Sequence, residues 1–157
     1  MRDLREFHDP HLHLPIGGKD VIIESPSAED GLRIVEHMTS GAATNRDEVR
    51  MIATLFHSEY DEDTGFMSGG KWEELNDMGL SLQEILHVGT TALAHFGVGE
   101  AWGEFWWETR LGKAQEPLTP ENLEQELLEW EASRKTTAAS EEIEATVKPK
   151  PKSKKKK

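Results

Sequence analysis

Hydrophobic positions along the chain follow two different periods. Between His11 and Ile16, Leu12, Leu14 and Ile16 alternate with His11, His13 and Pro15, the period of two that marks a half-buried strand. Val21, Ile22 and Ile23 form a second, β-branched run. Gly17-Gly18 lies between the runs and tolerates positive φ, so the pattern predicts a tight hairpin over about 12–24. From Ser25 onward the period becomes helical. Ser25 and Pro26 fit an N-cap and N1 pair, with Ser27 and Asp30 as an alternative start. The helix should run to about Met38, with Leu32, Val35 and Met38 facing inward.

A second helix is predicted from about Arg46 to His57, because Val49, Ile52, Ala53 and Phe56 recur at i, i+3, i+4 and i+7. Ser58 to Gly70 reads as an acidic, glycine-containing loop, and Lys71 to Met78 as a short helix. Ser81 and Glu84 make a capping box. It opens a helix to about Phe96, with Leu82, Ile85, Leu86, Gly89, Ala92, Leu93 and Phe96 on its apolar face. After Gly97 and Gly99, a helix from about Glu100 to Leu111 carries Trp102, Phe105 and Trp106 on one face. Thr119-Pro120-Glu121 starts one more amphipathic helix, about 119–134, with the stripe Leu123, Leu127 and Trp130. The expected fold is mainly α with an N-terminal β-hairpin, an α+β arrangement. A small helical domain over 1–112 precedes a mobile 113–157 segment with a lysine-rich end.

Composition narrows this picture. The 157 residues are 36% hydrophobic and 31% charged, which suits one modest domain with a small core. Cysteine is absent, so disulfides and thiolate metal sites are excluded. No apolar run approaches the roughly 20 residues of a membrane span. The charged start MRDLREFHDPH lacks the apolar core of a signal peptide, and a cytosolic location is expected. Charge is unevenly spread: 21 acidic against 8 basic residues over 1–112, and seven lysines with no acid over 148–157. An acidic body does not track a phosphate backbone, so neither nucleic acid nor membrane is an expected partner.

Several chemical motifs fail on spacing. Gly17-Gly18-Lys19 lacks the G-x-x-x-x-G-K-[ST] pattern, and Asp20 would repel a phosphate. His11 and His13 share a strand face near His8 and Asp9, but no second ligand pair at fixed spacing accompanies them. His87, Thr91 and His95 sit at i, i+4 and i+8 without the H-E-x-x-H pattern. Asp61, Glu62 and Asp63 lack calcium-loop spacing, and no nucleophile elbow is present. Neither an enzyme, a cofactor nor a metal is expected. The densest feature is AWGEFWWETR, Ala101 to Arg110. Trp102, Phe105 and Trp106 read as core. Trp107 lies about 100° round the helix, exposed or in a cation–π contact with Arg110. The candidates for binding another protein are therefore Trp107, Arg110, Leu123, Leu127 and Trp130.

One block carries a resemblance. Phe7, Asp9, Pro10, Leu12, Leu14, Pro15, Ile16, Gly17 and Gly18, followed by Pro26, Ser27, Ala28, Gly31 and Leu32, resemble the "FxDPxLxLPIGG…PSAxxGL" opening of tail assembly chaperones of long-tailed phages infecting actinobacteria. His87, Gly89, Thr91, Ala92 and the FWW segment are similar to later parts of that family. The resemblance covers about residues 2–110. It implies a non-enzymatic protein that binds the tape measure protein and keeps it soluble while the tail tube polymerises. Such a protein acts in the host cytoplasm and is not expected in the mature virion. The major tail protein and the chain's own longer frameshift product are further implied partners, and self-association is open. Lys154–Lys157 demands an A-rich message that can hold a slippery A-AAA-AAG. The alternative from another class is a structural tail completion or head–tail connector protein.

Overall fold

The computed structural model describes residues 1–6, 8–40, 44–111 and 124–135. The chain divides into two compact units, 1–114 and 115–157. The first unit is mostly helical and starts with a β-hairpin, as the periodicities predict.

A single 3-10 turn, Leu4–Glu6, precedes the hairpin β1 (Leu12–Ile16) and β2 (Lys19–Ile23). The strands pair antiparallel, with Leu12 opposite Ile23, Leu14 opposite Val21 and Ile16 opposite Lys19. Gly17 and Gly18 hold φ of 58° and 77°, the doubly positive pair a two-residue hairpin turn needs. Leu12, Leu14, Val21 and Ile23 are all buried on one face.

Helix α1 (Ala28–Ser40) starts two residues later than the Ser25-Pro26 reading, at the alternative Ser27–Asp30 start. The cap is Ser27: its Oγ accepts the Asp30 N–H at 3.1 Å and its carbonyl accepts the Gly31 N–H at 2.8 Å. The Ser25 N–H instead donates to His11 Nδ1 at 3.1 Å, tying the end of β2 back to the start of β1. Ser25 and Pro26 therefore belong to the connector. The inward face also differs from expectation. Ile34 is buried and Met38 packs on the core, whereas Leu32 is 72% and Val35 40% exposed. Helix α2 (Asn45–Leu55) buries Ile52, Ala53 and Leu55, and its C-cap residue Phe56 is buried too. A second capping box, Thr44 with Asp47, opens this helix.

The acidic stretch after α2 contains structure. Strands β3 (Glu59–Tyr60) and β4 (Met67–Ser68) form a short hairpin. Asp61 Oδ1 closes its turn by accepting the N–H groups of Asp63 and Thr64 at 2.8 and 3.1 Å. Glu62 forms a two-pronged ion pair with Arg50 on α2, at 2.7 and 2.6 Å. Helix α3 (Gly70–Asp77) follows and buries Leu75.

Helix α4 (Leu82–Gly97) is the axis of the unit. The predicted capping box is present: Ser81 Oγ accepts the Glu84 N–H, and the Glu84 carboxylate accepts the Ser81 N–H at 2.7 Å. Burial extends around most of α4 beyond its first turn, from Ile85 and Val88 to Ala92, Leu93 and Ala94. Leu82, placed inward by the sequence pattern, is 62% exposed. The strand β1 and helices α1, α2, α3 and α5 (Glu100–Thr109) all contact α4. Three of these crossings are made close by glycine. A Cβ on Gly89 would lie 2.6 Å from Ile52 of α2. One on Gly97 would lie 2.7 Å from Met38 of α1, and one on Gly103 of α5 would lie 2.7 Å from His95.

In the second unit the described residues form one helix, α6, over 124–135. The remaining expectations for 113–157, including its mobility and lysine-rich end, fall outside the described residues.

Candidate partner-binding surface

The aromatic segment on α5 is largely committed to its own fold. Phe105 is buried, and Trp102 meets it edge-on with ring centroids 5.8 Å apart. The Trp106 indole N–H donates to Thr90 Oγ1 on α4 at 3.1 Å. Trp107, the first candidate for an outside partner, is half-buried against the core. Its ring stacks on His87 with centroids 5.2 Å apart and planes inclined by 21°. His87 Nε2–H donates to the Trp107 carbonyl at 3.0 Å. This bond caps an orphan carbonyl near the end of α5. His87 is buried, and burial pushes its pKa below the ordinary value. The imidazole is thus neutral, with its proton on Nε2.

Arg110 does not meet Trp107 as the sequence suggested. Its guanidinium lies over the rings of Phe105 and Trp106, at 5.5 and 5.6 Å, where cation–π attraction closes the C-terminal end of α5. Leu123 lies outside the described residues. Leu127 and Trp130, three residues apart on α6, are half-buried. Arg134 sits over the Trp130 ring at 4.8 Å, one turn further on. Leu128, which sequence reasoning did not single out, is 60% exposed.

Exposed large hydrophobics of the first unit include Leu4, Ile22, Phe66, Leu82, Val98 and Leu111; on α1 two more, Leu32 and Val35, fall at helical spacing. Leu32 and Val35, three residues apart, share one flank of that helix with Ala28 and Thr39. The opposite flank of α1 faces α2 across an open groove of about 190 Å³. Ile34 and Met51 are its apolar lining, with Asp30, Arg33, Asp47 and Arg50 among its polar walls. Those charges are largely paired. Arg33 holds Glu29 at 2.5 Å, and Arg50 holds Asp47 at 3.2 Å in addition to Glu62. Sequence reasoning missed this surface because Leu32, Val35 and Met38 fit a helical spacing. The competing stripe, Gly31, Ile34 and Met38, is equally regular.

The histidines near the N-terminus make a clasp. His13 Nδ1 lies 2.7 Å from Asp20 Oδ2 on β2, and Nε2 lies 3.1 Å from Asp9 Oδ2. Ionised carboxylates only accept hydrogen bonds, so making both bonds at once requires both ring nitrogens to be protonated. The Asp20 hydrogen bond accordingly raises the His13 pKa. Among the described residues, no group of three His, Cys, Asp or Glu side chains is arranged to hold a metal ion. Among them, too, no helix is long and apolar enough to cross a membrane.

A family model described as a domain of unknown function, DUF7426, matches residues 2–149. No curated protein and no solved structure matches the chain.

Proposed function

We propose, for a chain that belongs to the DUF7426 family, that it is a tail assembly chaperone of a long-tailed phage. It would bind the tape measure protein and keep it soluble during tail tube assembly in the host cytoplasm, without covalent chemistry. One observation carries this reading. The block that resembles such chaperones, with matching residues from Phe7 to Leu32, includes the hairpin and the start of α1, and α1 keeps Leu32 and Val35 uncovered. A shallow, exposed apolar stripe suits weak contacts repeated along a long helical client, where multivalency supplies the affinity. The acidic surface supports the same reading, because net charge well below zero favours solubility. Trp107 and Arg110 of α5, both half-buried, are moved from client binding to structure, joining Trp102, Phe105 and Trp106. The binding role is placed on α1, with Leu127 and Trp130 of α6 as the second contact.

The test is co-expression with the tape measure protein encoded by the same phage. The expected result is that the tape measure protein moves from the pellet to the soluble fraction, and that L32S/V35S loses this effect while remaining folded. A tape measure protein equally insoluble with and without this chain would overturn the reading. Stoichiometric copies in purified virions would favour a tail completion or connector protein instead.

A further inference from the structure

The hairpin register decides which backbone groups of β2 stay unused. Pro15 lies opposite Asp20 and has no N–H to give. The hydrogen-bonded pairs are therefore Leu12 with Ile23, Leu14 with Val21 and Ile16 with Lys19. The N–H and C=O groups of Asp20 and Ile22 point away from β1. No described residue hydrogen-bonds those groups, and Asp20, Ile22 and Glu24 are exposed. The other edge of the sheet, on β1, is blunted by Pro15. A third strand can therefore add fully only beside β2.

The sequence VKPKPKSK, residues 147–154, lies outside the described residues and has the complementary pattern. Lys148, Lys150 and Lys152 alternate with Pro149 and Pro151. In an extended strand, the lysine N–H groups all fall on one edge and the prolines on the other, where proline is tolerated. Residues that precede proline are themselves biased toward extended conformations. Set antiparallel with Lys150 opposite Ile22, Lys152 faces Asp20 and Lys148 faces Glu24 on the same sheet face. The Lys150 methylenes then cover Ile22. His13 and His57 each engage one oxygen of Asp20 and Glu24, through Oδ2 and Oε2 respectively, leaving a second carboxylate oxygen on each.

We propose that the outer edge of β2 takes residues 147–154 of a second copy of this chain as a third strand. Every copy carries both halves of the contact. Joining copies this way sets a block of seven lysines against a body with 21 acidic residues, offsetting the repulsion between bodies. This proposal stands apart from the client-binding reading above and does not depend on it.

The experiment is amide hydrogen exchange on the full chain over a concentration series, with sedimentation velocity on the same samples. Protection of the Asp20 and Ile22 amides should rise with concentration, together with the sedimenting mass. K150P removes the N–H aimed at β2 and K150A keeps it. K150P should shift the concentration of half-protection upward by about tenfold relative to K150A. D20K/E24K and K148E/K152E should each lose association alone and regain it when mixed. Val88 amide exchange reports in every sample that the core is folded, and the position-150 variants remain decisive if D20K/E24K fails to fold. Protection independent of concentration would overturn the second copy as occupant. Unprotected amides at every concentration, or K150P behaving as K150A, would overturn the strand pairing itself.

Discussion

Helices α1 and α4 both read as amphipathic, but they have different fates. Helix α4 is buried around most of its circumference because β1, α1, α2, α3 and α5 all pack on it. Its apolar residues are consumed by the fold. Helix α1 touches α4 along one stripe only, through Ile34 and Met38 against Gly97, and keeps Leu32 and Val35 for solvent or a partner. The same contrast separates the tryptophans from the aliphatics. On the aromatic-rich α5 only Trp107 and Arg110 read as partner-binding candidates, yet Trp107 stacks on His87 of α4 and Arg110 lies over Phe105 and Trp106. A dense aromatic segment marks strong packing; whether that packing is internal depends on the neighbouring helix, here α4 with His87 and Thr90.

The largest expected effect tests the internal half of this contrast. Phe105 of α5 is fully buried, with Trp102 edge-on to its ring and Arg110 over it, and Phe105→Ala should cost about 3–5 kcal/mol by lost transfer energy and a residual cavity. Urea unfolding with an unchanged m-value is the measurement. A loss below about 1 kcal/mol would mean that α5 is a loosely held flap rather than part of the core.

Next comes the α2–α4 crossing. Gly89→Ala places a methyl 2.6 Å from Ile52 Cγ2, with two further Ile52 carbons inside 3 Å. Overpacking of this kind costs about 1–3 kcal/mol. The double variant G89A/I52A should recover part of the loss, because the clash is with that side chain and not with backbone. If I52A adds its full penalty on top of G89A, the close crossing is not where the helices meet.

The external half predicts a small stability effect with a large functional one. L32S/V35S should lie within about 0.5 kcal/mol of the parent, since neither residue is in the core. Client solubilisation should fall. A stability loss above about 1 kcal/mol would show that this flank of α1 is covered, and the contrast between the two helices would collapse.

Much of this was legible in the sequence, and the failures share a cause. The hairpin, its Gly-Gly turn, the Ser81–Glu84 cap and the α4 and α5 spans follow from local rules, and local rules held. The direction of a helix face is not local. Leu32, Val35 and Met38 satisfy helical spacing as well as Ile34 and Met38 do, and only the position of α4 decides between them. Ser25-Pro26 is a sound start signal in isolation. It lost because His11 claims the Ser25 N–H from across the hairpin, leaving Ser27 to cap the helix. Trp107 and Arg110 were linked through their spacing on one helix, while His87, 20 residues earlier, takes Trp107 for itself.

Two histidines should separate the two ends of the first unit by pH, with opposite sign. The His87 pKa is lowered by burial from its ordinary 6.5. The folded state then binds fewer protons there than the unfolded one, so its contribution is complete above about pH 6.5 and is lost as pH falls through the folded value. The His13 pKa is raised, chiefly by the Asp20 hydrogen bond and further by Asp9. Its contribution is full below about pH 6.5 and is lost as pH rises through the folded value. Acid should therefore loosen the α4–α5 seam while it holds Asp9 to the hairpin, and mild base should do the reverse. The groups facing His13 are the carboxylates of Asp9 and Asp20, both exposed, so the clasp is solvent-screened and its effect on global stability small. Imidazole proton resonances followed by NMR give the check. His13 should titrate above 6.5 and His87 below it, and D20N should bring His13 down while leaving His87 unmoved. A single shared midpoint for both rings would remove the distinction between a buried seam and an exposed clasp.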